Sequence, residues 1–238
     1  FGMNGGDYQA VEFCGPAVQA LSMQERMTMS NMSAEMGAQV GLIAPDEVTQ
    51  DWLVKTGVSK NDIHLGPWYT DEDAQAEVHR FNATHLAPQV AAPHSPANTR
   101  AVDEFQNVPV QVAYIGACTG AKLDDLSAAA QVFKGKHIAQ GVRLMVAPAS
   151  LSDQSQAENE GVMSVLRDAG AEVLPTACGA CSGYGGSIPD GANVIATTAR
   201  NFKGRMGSAT AQVYLASPYT VAASALRGFI SDPREAMA

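Results

Sequence analysis

The stretch VQVAYIGAC (110–118) decides how the chain folds. It is an apolar run rich in β-branched residues, and such unbroken runs suit strands buried on both faces of a sheet. KLDDLSAAAQVFKGK (122–136) follows, Ala- and Leu-rich and of helix length, and then a second apolar run, VRLMVAPAS (142–150). AEVLPTAC (171–178) and NVIATTA (193–199) repeat the strand pattern, with SDQSQAENEGVMSVLRDAG (152–170) and SPYTVAASALRGFI (217–230) as helices. Ser217 is a natural N-cap and Pro218 suits the first helical position. Strand–helix alternation of this kind predicts an α/β fold, a three-layer α/β/α arrangement around a mostly parallel sheet.

Upstream the pattern is less regular. HLAPQVAAPHSPANT (85–99) holds three prolines, which excludes a long helix or a central strand. Residues 85–109 therefore read as a Pro-rich linker between two lobes, 1–84 and 110–238. In the first lobe YQAVEFC (8–14) and QVGLIAP (39–45) read as strands. SMQERMTMSNMSAEMGA (22–38) reads as a helix with Ser22 and Glu25 as a capping box and Gly37 as its stop. DEVTQDWLVKTG (46–57) is a helix capped by Asp46.

Bulk composition narrows the function. The 238 residues are 46% hydrophobic and 16% charged, the profile of a soluble globular protein. No run reaches the ~18–20 apolar residues of a membrane span. A net charge of −9 without a Lys/Arg cluster argues against a nucleic-acid surface. Four cysteines in this length do not make a disulfide scaffold, so a reducing compartment is expected, cytoplasmic or an organelle matrix. The chain opens at Phe1 inside a Gly-rich stretch, FGMNGGDY, and reads as a piece whose beginning is missing.

The chemistry converges on cysteine. Cys118 ends the first strand, Cys178 ends the third, and Cys181 follows in its loop. Ligands of parallel α/β sheets bind outside the carboxyl ends of the strands, so these thiols can meet at one rim. Gly116, Gly120, Gly179, Gly183, Gly185 and Gly186 flank them, and residues this small let backbone N–H groups approach a sulfur-rich ligand. A redox C-x-x-C normally opens a helix, whereas this one runs into SGYGGSIPDG. Structural zinc wants four ligands, and a fourth would have to come from His94 or His137. Three thiolates without a fourth fit an iron–sulfur cluster with one iron free of protein ligands. Inert buried cysteine is the reading for Cys14.

YIGACTGAKLDDLSAAA, ACGACSG, RNFKGRMG and YLASPYTVAASAL together resemble the cluster-binding half of the aconitase superfamily, nearest the isopropylmalate dehydratase/homoaconitase large subunits. YQAVEFCGPAVQALSMQERMTMSNMSAEMGAQVGLIAPDE resembles the domain segment that precedes it, so the likeness spans nearly the whole chain. The resemblance implies an aconitase-like two-lobed fold and a [4Fe–4S] cluster on Cys118, Cys178 and Cys181. It implies reversible dehydration of a hydroxy-di- or tricarboxylic acid bound at the open iron. Asn31 and Glu35 correspond to a catalytic Asn and Glu, four apart on the predicted helix and so on one face. Arg200 and Arg205 correspond to arginines that grip substrate carboxylates, a task suited to a guanidinium fork. It also implies two partners: an N-terminal portion of the large subunit, and a small subunit carrying a swivelling domain with a catalytic serine. Without them the chain is expected to be inactive. A non-catalytic iron–sulfur or zinc-binding module with the inherited fold is the alternative. Two positions depart from the family: Gly120 and Ala199 stand where Asn is usual, in surroundings that tune a metal site. His94 reads as a loop histidine near the cleft, and the two Asp of KLDDL as helix-dipole partners.

Overall fold

The computed structural model describes residues 1–184 and 188–237. The chain divides into two units, Phe1–Leu86 and Ala87–Ala238.

The first unit contains β1 (Ala10–Glu12), α1 (Pro16–Gln19), α2 (Met23–Met32), β2 (Val40–Leu42) and α3 (Glu47–Lys55). β1 and β2 pair in parallel, Ala10 opposite Val40. The predicted capping box forms: Ser22 Oγ accepts from Glu25 N–H at 3.3 Å and Glu25 Oε2 accepts from Ser22 N–H at 2.8 Å. The helix expected over 22–38 is shorter, however. It stops at Met32, and Ser33–Met36 tighten into a 3₁₀ turn that ends at Gly37, which takes the left-handed φ of 78°. Ser33 Oγ donates to the Ser30 carbonyl at 2.7 Å and supports that break. Asp46 caps α3, and the bidentate guanidinium of buried Arg26 grips the same carboxylate at 2.6 and 2.8 Å. Arg26 also donates to the carbonyls of Leu21 and Gln19, so one side chain ties α1, α2 and α3 together.

The second unit is built on a seven-stranded sheet. Its elements are β3 (Gln89–Ala91), β4 (Thr99–Ala101), β5 (Val112–Gly116), α4 (Leu123–Phe133), β6 (Arg143–Ala147), α5 (Leu151–Asn159), α6 (Val162–Asp168), β7 (Ala171–Val173), β8 (Asn193–Ala196), β9 (Gln212–Ala216), α7 (Pro218–Arg227) and α8 (Pro233–Met237). The strand order is β4-β3-β9-β8-β5-β6-β7. β9 through β7 run parallel, and β3 and β4 are antiparallel. The fold is the expected mixed α/β one with a mostly parallel sheet.

Three details differ from expectation. Residues 89–91 and 99–101, inside the stretch read as a linker, form β3 and β4 and extend the sheet. Pro88 precedes β3, and Pro93 and Pro96 lie between β3 and β4, so none stands within a strand and no ladder hydrogen bond is lost. The helix expected over 152–170 breaks at Gly161, where φ is 75°. The two faces of the sheet are also covered differently. Ala113, Ile115, Leu144, Val146 and Ile195 pack with Leu126, Phe133, Leu166 and Val221 of the helices. Tyr114, Met145, Ala147, Val194 and Val213 pack on the opposite face with Ala180, Cys181, Ile188 and Met206. Among the described residues this second cover is loop and 3₁₀ turn, because the Gly- and Pro-rich segments after β7 and β8 do not sustain a helix.

Candidate metal centre

β5 is the first strand in sequence of the sheet's parallel part, β9-β8-β5-β6-β7, and lies in its middle, between β6 and β8. Successive strands turn one way from β5 to β7 and then jump to β8 on its other side. This is the topological switch point at which open α/β sheets bind ligands. Cys118 follows the carboxyl end of β5, and Thr197–Arg200 follow that of β8.

The two ends are stitched together. Thr197 Oγ1 accepts from Gly116 N–H at 2.9 Å and lies 3.1 and 2.9 Å from the Gly116 and Gly120 carbonyls, to one of which it donates at a time. Thr119 Oγ1 donates back to the Thr197 carbonyl at 3.1 Å. Gly120 is flush with this stitch: a Cβ there would lie 2.2 Å from Thr197 Cβ, so a side chain at 120 must displace Thr197 or the turn.

Cys178 and Cys181 belong to a tight turn beyond β7. Gly179–Ser182 form one 3₁₀ turn, Cys181 N–H donates to the Cys178 carbonyl at 3.0 Å, and Gly183 closes the turn at a φ of 84°. Gly185 and Gly186 lie outside the described residues. Tyr114 reaches this turn from β5: its hydroxyl is 3.5 Å from the Cys178 carbonyl, a weak contact, and its ring lies over Gly116, where a Cβ would be 2.1 Å from the ring. Burial first, then the negative charge of Cys181 and Cys178, pushes the Tyr114 phenol far up. It is a neutral strut at any ordinary pH.

Cys118 and Cys178 are exposed and Cys181 is buried. Burial raises the Cys181 thiol; a hydrogen bond and the charge of Arg205 oppose it, and the charges of Cys178 and Cys118 add to it. The charges of Arg205, Cys178 and Cys118 thus all act on the Cys181 thiol. Arg205 Nε is buried without a partner. Arg200 is half-buried just past β8, and its carbonyl accepts from Thr198 Oγ1 at 3.2 Å. Asn201, fully buried, is a structural pin: its Nδ2 donates to the Ala92 and Val213 carbonyls at 2.8 and 3.0 Å.

This donor set fits a cluster. It is made of thiols alone, the usual ligands of iron–sulfur groups. Among the described residues no three His, Cys, Asp or Glu side chains gather as closely as a single ion requires.

Asn31 and Glu35 lie in the first unit. Asn31 is in the last turn of α2 and exposed, while Glu35 is in the following 3₁₀ turn and buried. The single helical face expected for the pair is not formed, because the helix ends between them. His94 carries a buried Nδ1 without a partner, so it is more enclosed than a loop histidine. Tyr114 and Thr197 were not read as site residues. Their contacts bridge 64 and 81 residues of chain, a distance over which no local pattern carries a signal.

No helix among the described residues is long and apolar enough to cross a membrane. The family model described as Aconitase family (aconitate hydratase) matches residues 1–107 and 100–228. The 3-isopropylmalate dehydratase large subunit of Oleidesulfovibrio alaskensis is 43% identical over 235 residues, covering 98% of this chain and 55% of the relative. The 3-isopropylmalate dehydratase large subunit 2 of Archaeoglobus fulgidus is 40% identical over 236 residues, covering 98% and 56%. Large subunit 1 of Methanopyrus kandleri is 40% identical over 235 residues, with 98% and 55% covered. The chain spans about half the length of the curated relatives it matches. With the family model matched over residues 1–107 and 100–228, through both units, the chain belongs to the aconitase family.

Proposed function

We propose that this chain is part of the large subunit of a hydro-lyase that reversibly dehydrates a hydroxy-di- or tricarboxylic acid of the isopropylmalate or homoaconitate type. The reading takes Cys118, Cys178 and Cys181 as ligands of a [4Fe–4S] cluster that leaves one iron without a protein ligand. When bound, the cluster supplies Lewis acidity toward the substrate hydroxyl at that iron. What supports the reading is the place of Cys118 just past the carboxyl end of β5, tied through Thr119 and Thr197 to the end of β8 at the switch point of the sheet.

The chain's own residues have separable tasks. The Arg205 guanidinium offsets negative charge gathered by the thiolates. Its Nε is a buried donor without a partner, and a substrate carboxylate would relieve the cost of that vacancy, on the order of 1–3 kcal/mol. Arg200, half-buried just past β8, offers a second fork for a second carboxylate. Glu35 is the carboxylate assigned to proton transfer and Asn31 its companion in orienting substrate. An N-terminal portion and a small subunit with a swivelling domain complete the enzyme, which works in the reducing cytoplasm.

Anaerobic reconstitution of the chain with iron and sulfide tests this. The expected product is a brown protein whose spectrum changes on adding a hydroxy-dicarboxylate and whose colour is lost in Cys118→Ser, Cys178→Ser and Cys181→Ser. Turnover of 3-isopropylmalate is expected only after the N-terminal portion and the small subunit are added. A colourless protein holding one tight zinc overturns the reading in favour of a non-catalytic module.

A further inference from the structure

Lys122 is a charged side chain that none of the tasks above uses. It is only 7% exposed. Lysine is strongly hydrated and seldom buried, so an enclosed ammonium needs acceptors. Here there are two: Nζ donates to the Cys118 carbonyl at 3.1 Å and to Asp125 Oδ2 at 3.1 Å. Asp125 Oδ2 also accepts the Lys122 backbone N–H at 3.0 Å, so the ion pair is anchored in the first turn of α4. Asp153 Oδ1 accepts the next N–H, that of Leu123, at 3.0 Å and fixes the same turn from α5.

The turn that Lys122 grips is a strained one. Ala117, immediately before Cys118, has a φ of 68°, a left-handed conformation that is unfavourable for a residue with a Cβ. Such a conformation persists only where neighbours over-determine it. Thr197 holds the flanking carbonyls of Gly116 and Gly120. Lys122 holds the carbonyl between them, that of Cys118 itself.

We propose that Lys122 is a positioning residue for Cys118: its ammonium, anchored by Asp125, fixes the peptide from which this thiol projects. The inference rests on the reading of Cys118 as a cluster ligand. Asp125 makes the charge tolerable inside the protein, and the α4 N-terminus makes it immobile. A neutral side chain at 122 releases the Cys118 carbonyl and leaves the half-buried Asp125 without its cation.

The test compares Lys122→Met, Lys122→Gln and Lys122→Arg with wild type and Cys118→Ser, each as the whole chain, after anaerobic reconstitution. The readouts are iron and sulfide bound per chain, the rate of cluster loss to a chelator, and the thermal melt of the metal-free protein. The expected result is about 10- to 100-fold weaker cluster retention in the Met and Gln variants, the cost of removing a group that orients a ligand, with retention restored in Lys122→Arg. Wild-type retention in folded Met or Gln variants, while Cys118→Ser loses the cluster, overturns the positioning role and leaves the ligand assignment standing. Normal cluster binding by Cys118→Ser overturns the ligand assignment instead. If both neutral variants fail to fold while Lys122→Arg is normal, Lys122 is a structural ion-pair residue and the inference is wrong.

Discussion

In Phe1–Leu86 the enclosed side chains are mostly polar: Arg26, Ser33 and Glu35 are buried, and Val18 is the one buried apolar side chain among the described residues. In Ala87–Ala238 the enclosed side chains are Tyr114, Ile115, Leu126, Phe133, Leu144, Met163, Leu166, Ile195 and many more of the same kind. Exposed large apolar residues show the reverse bias, with Trp68, Tyr69, Val78, Phe81 and Leu86 all in the first unit. The second unit draws its stability from apolar area removed from water. The first relies on directional contacts, caps and one arginine clamp, each of which contributes little alone. The unit that carries the thiols is therefore the rigid one, and Asn31 and Glu35 sit in the unit with less packing to hold it.

Core truncation should separate the units most. Phe133→Ala, at a fully buried site between α4 and the sheet, is expected to destabilise the second unit by about 3–5 kcal/mol. Val18→Ala should cost the first unit only about 1–2 kcal/mol. Equal shifts in denaturant midpoint would break the contrast. Next comes Arg26→Met, which strands the Asp46 carboxylate and the carbonyls of Leu21 and Gln19. Because Asp46 keeps 37% of its side-chain exposure, water screens the pair and the expected loss is about 2 kcal/mol. Both tryptophans, Trp52 and Trp68, lie in the first unit, so their fluorescence reports this loss while the unfolding of the second unit stays where it was.

Acid should act on the same clamp. The hydrogen bond from Arg26 holds the Asp46 carboxyl below its ordinary value. A depressed folded pKa means the contribution is complete above the unfolded value, about 3.9, and is lost as pH falls through the folded one. Tryptophan-reported stability should drop on the order of 1 kcal/mol on acidification below about pH 4. Asp46→Asn should flatten that slope. The smallest effect belongs to Ser22→Ala, which removes an exposed capping box and should cost about 0.5–1 kcal/mol in the same assay.

The asymmetry between the units also explains what could be read in advance. Residues 112–116, 143–147 and 193–196 were legible as strands, and 123–133 and 218–227 as helices, because burial on both faces writes long apolar runs. β9 was missed: QVYLA is short and alternates polar with apolar. β3 and β4 were missed because prolines stand between two three-residue strands, and a window wide enough to notice them swallowed both. Gly161 and Ser33 broke helices that composition alone ran together. At the proposed site the cysteines, Arg200 and Arg205 are picked out by type and spacing alone. Thr197, Tyr114 and Lys122 are not, because hydroxyls and an ammonium look ordinary until the partners across the sheet are known.

The central position of β5 has a consequence for how the protein is made. Thr197, which bolts the Cys118 turn in place, lies 81 residues downstream of Gly116. At ~5–20 residues per second of synthesis, the ribosome needs roughly 4–16 s to cover that stretch. During that interval Cys118 stands in a turn that lacks its Thr197 bolt, although Cys178 and Cys181 are already made by the time Thr197 is. The turn that carries Cys118 therefore takes its final form only once β8 has been made and docked beside β5.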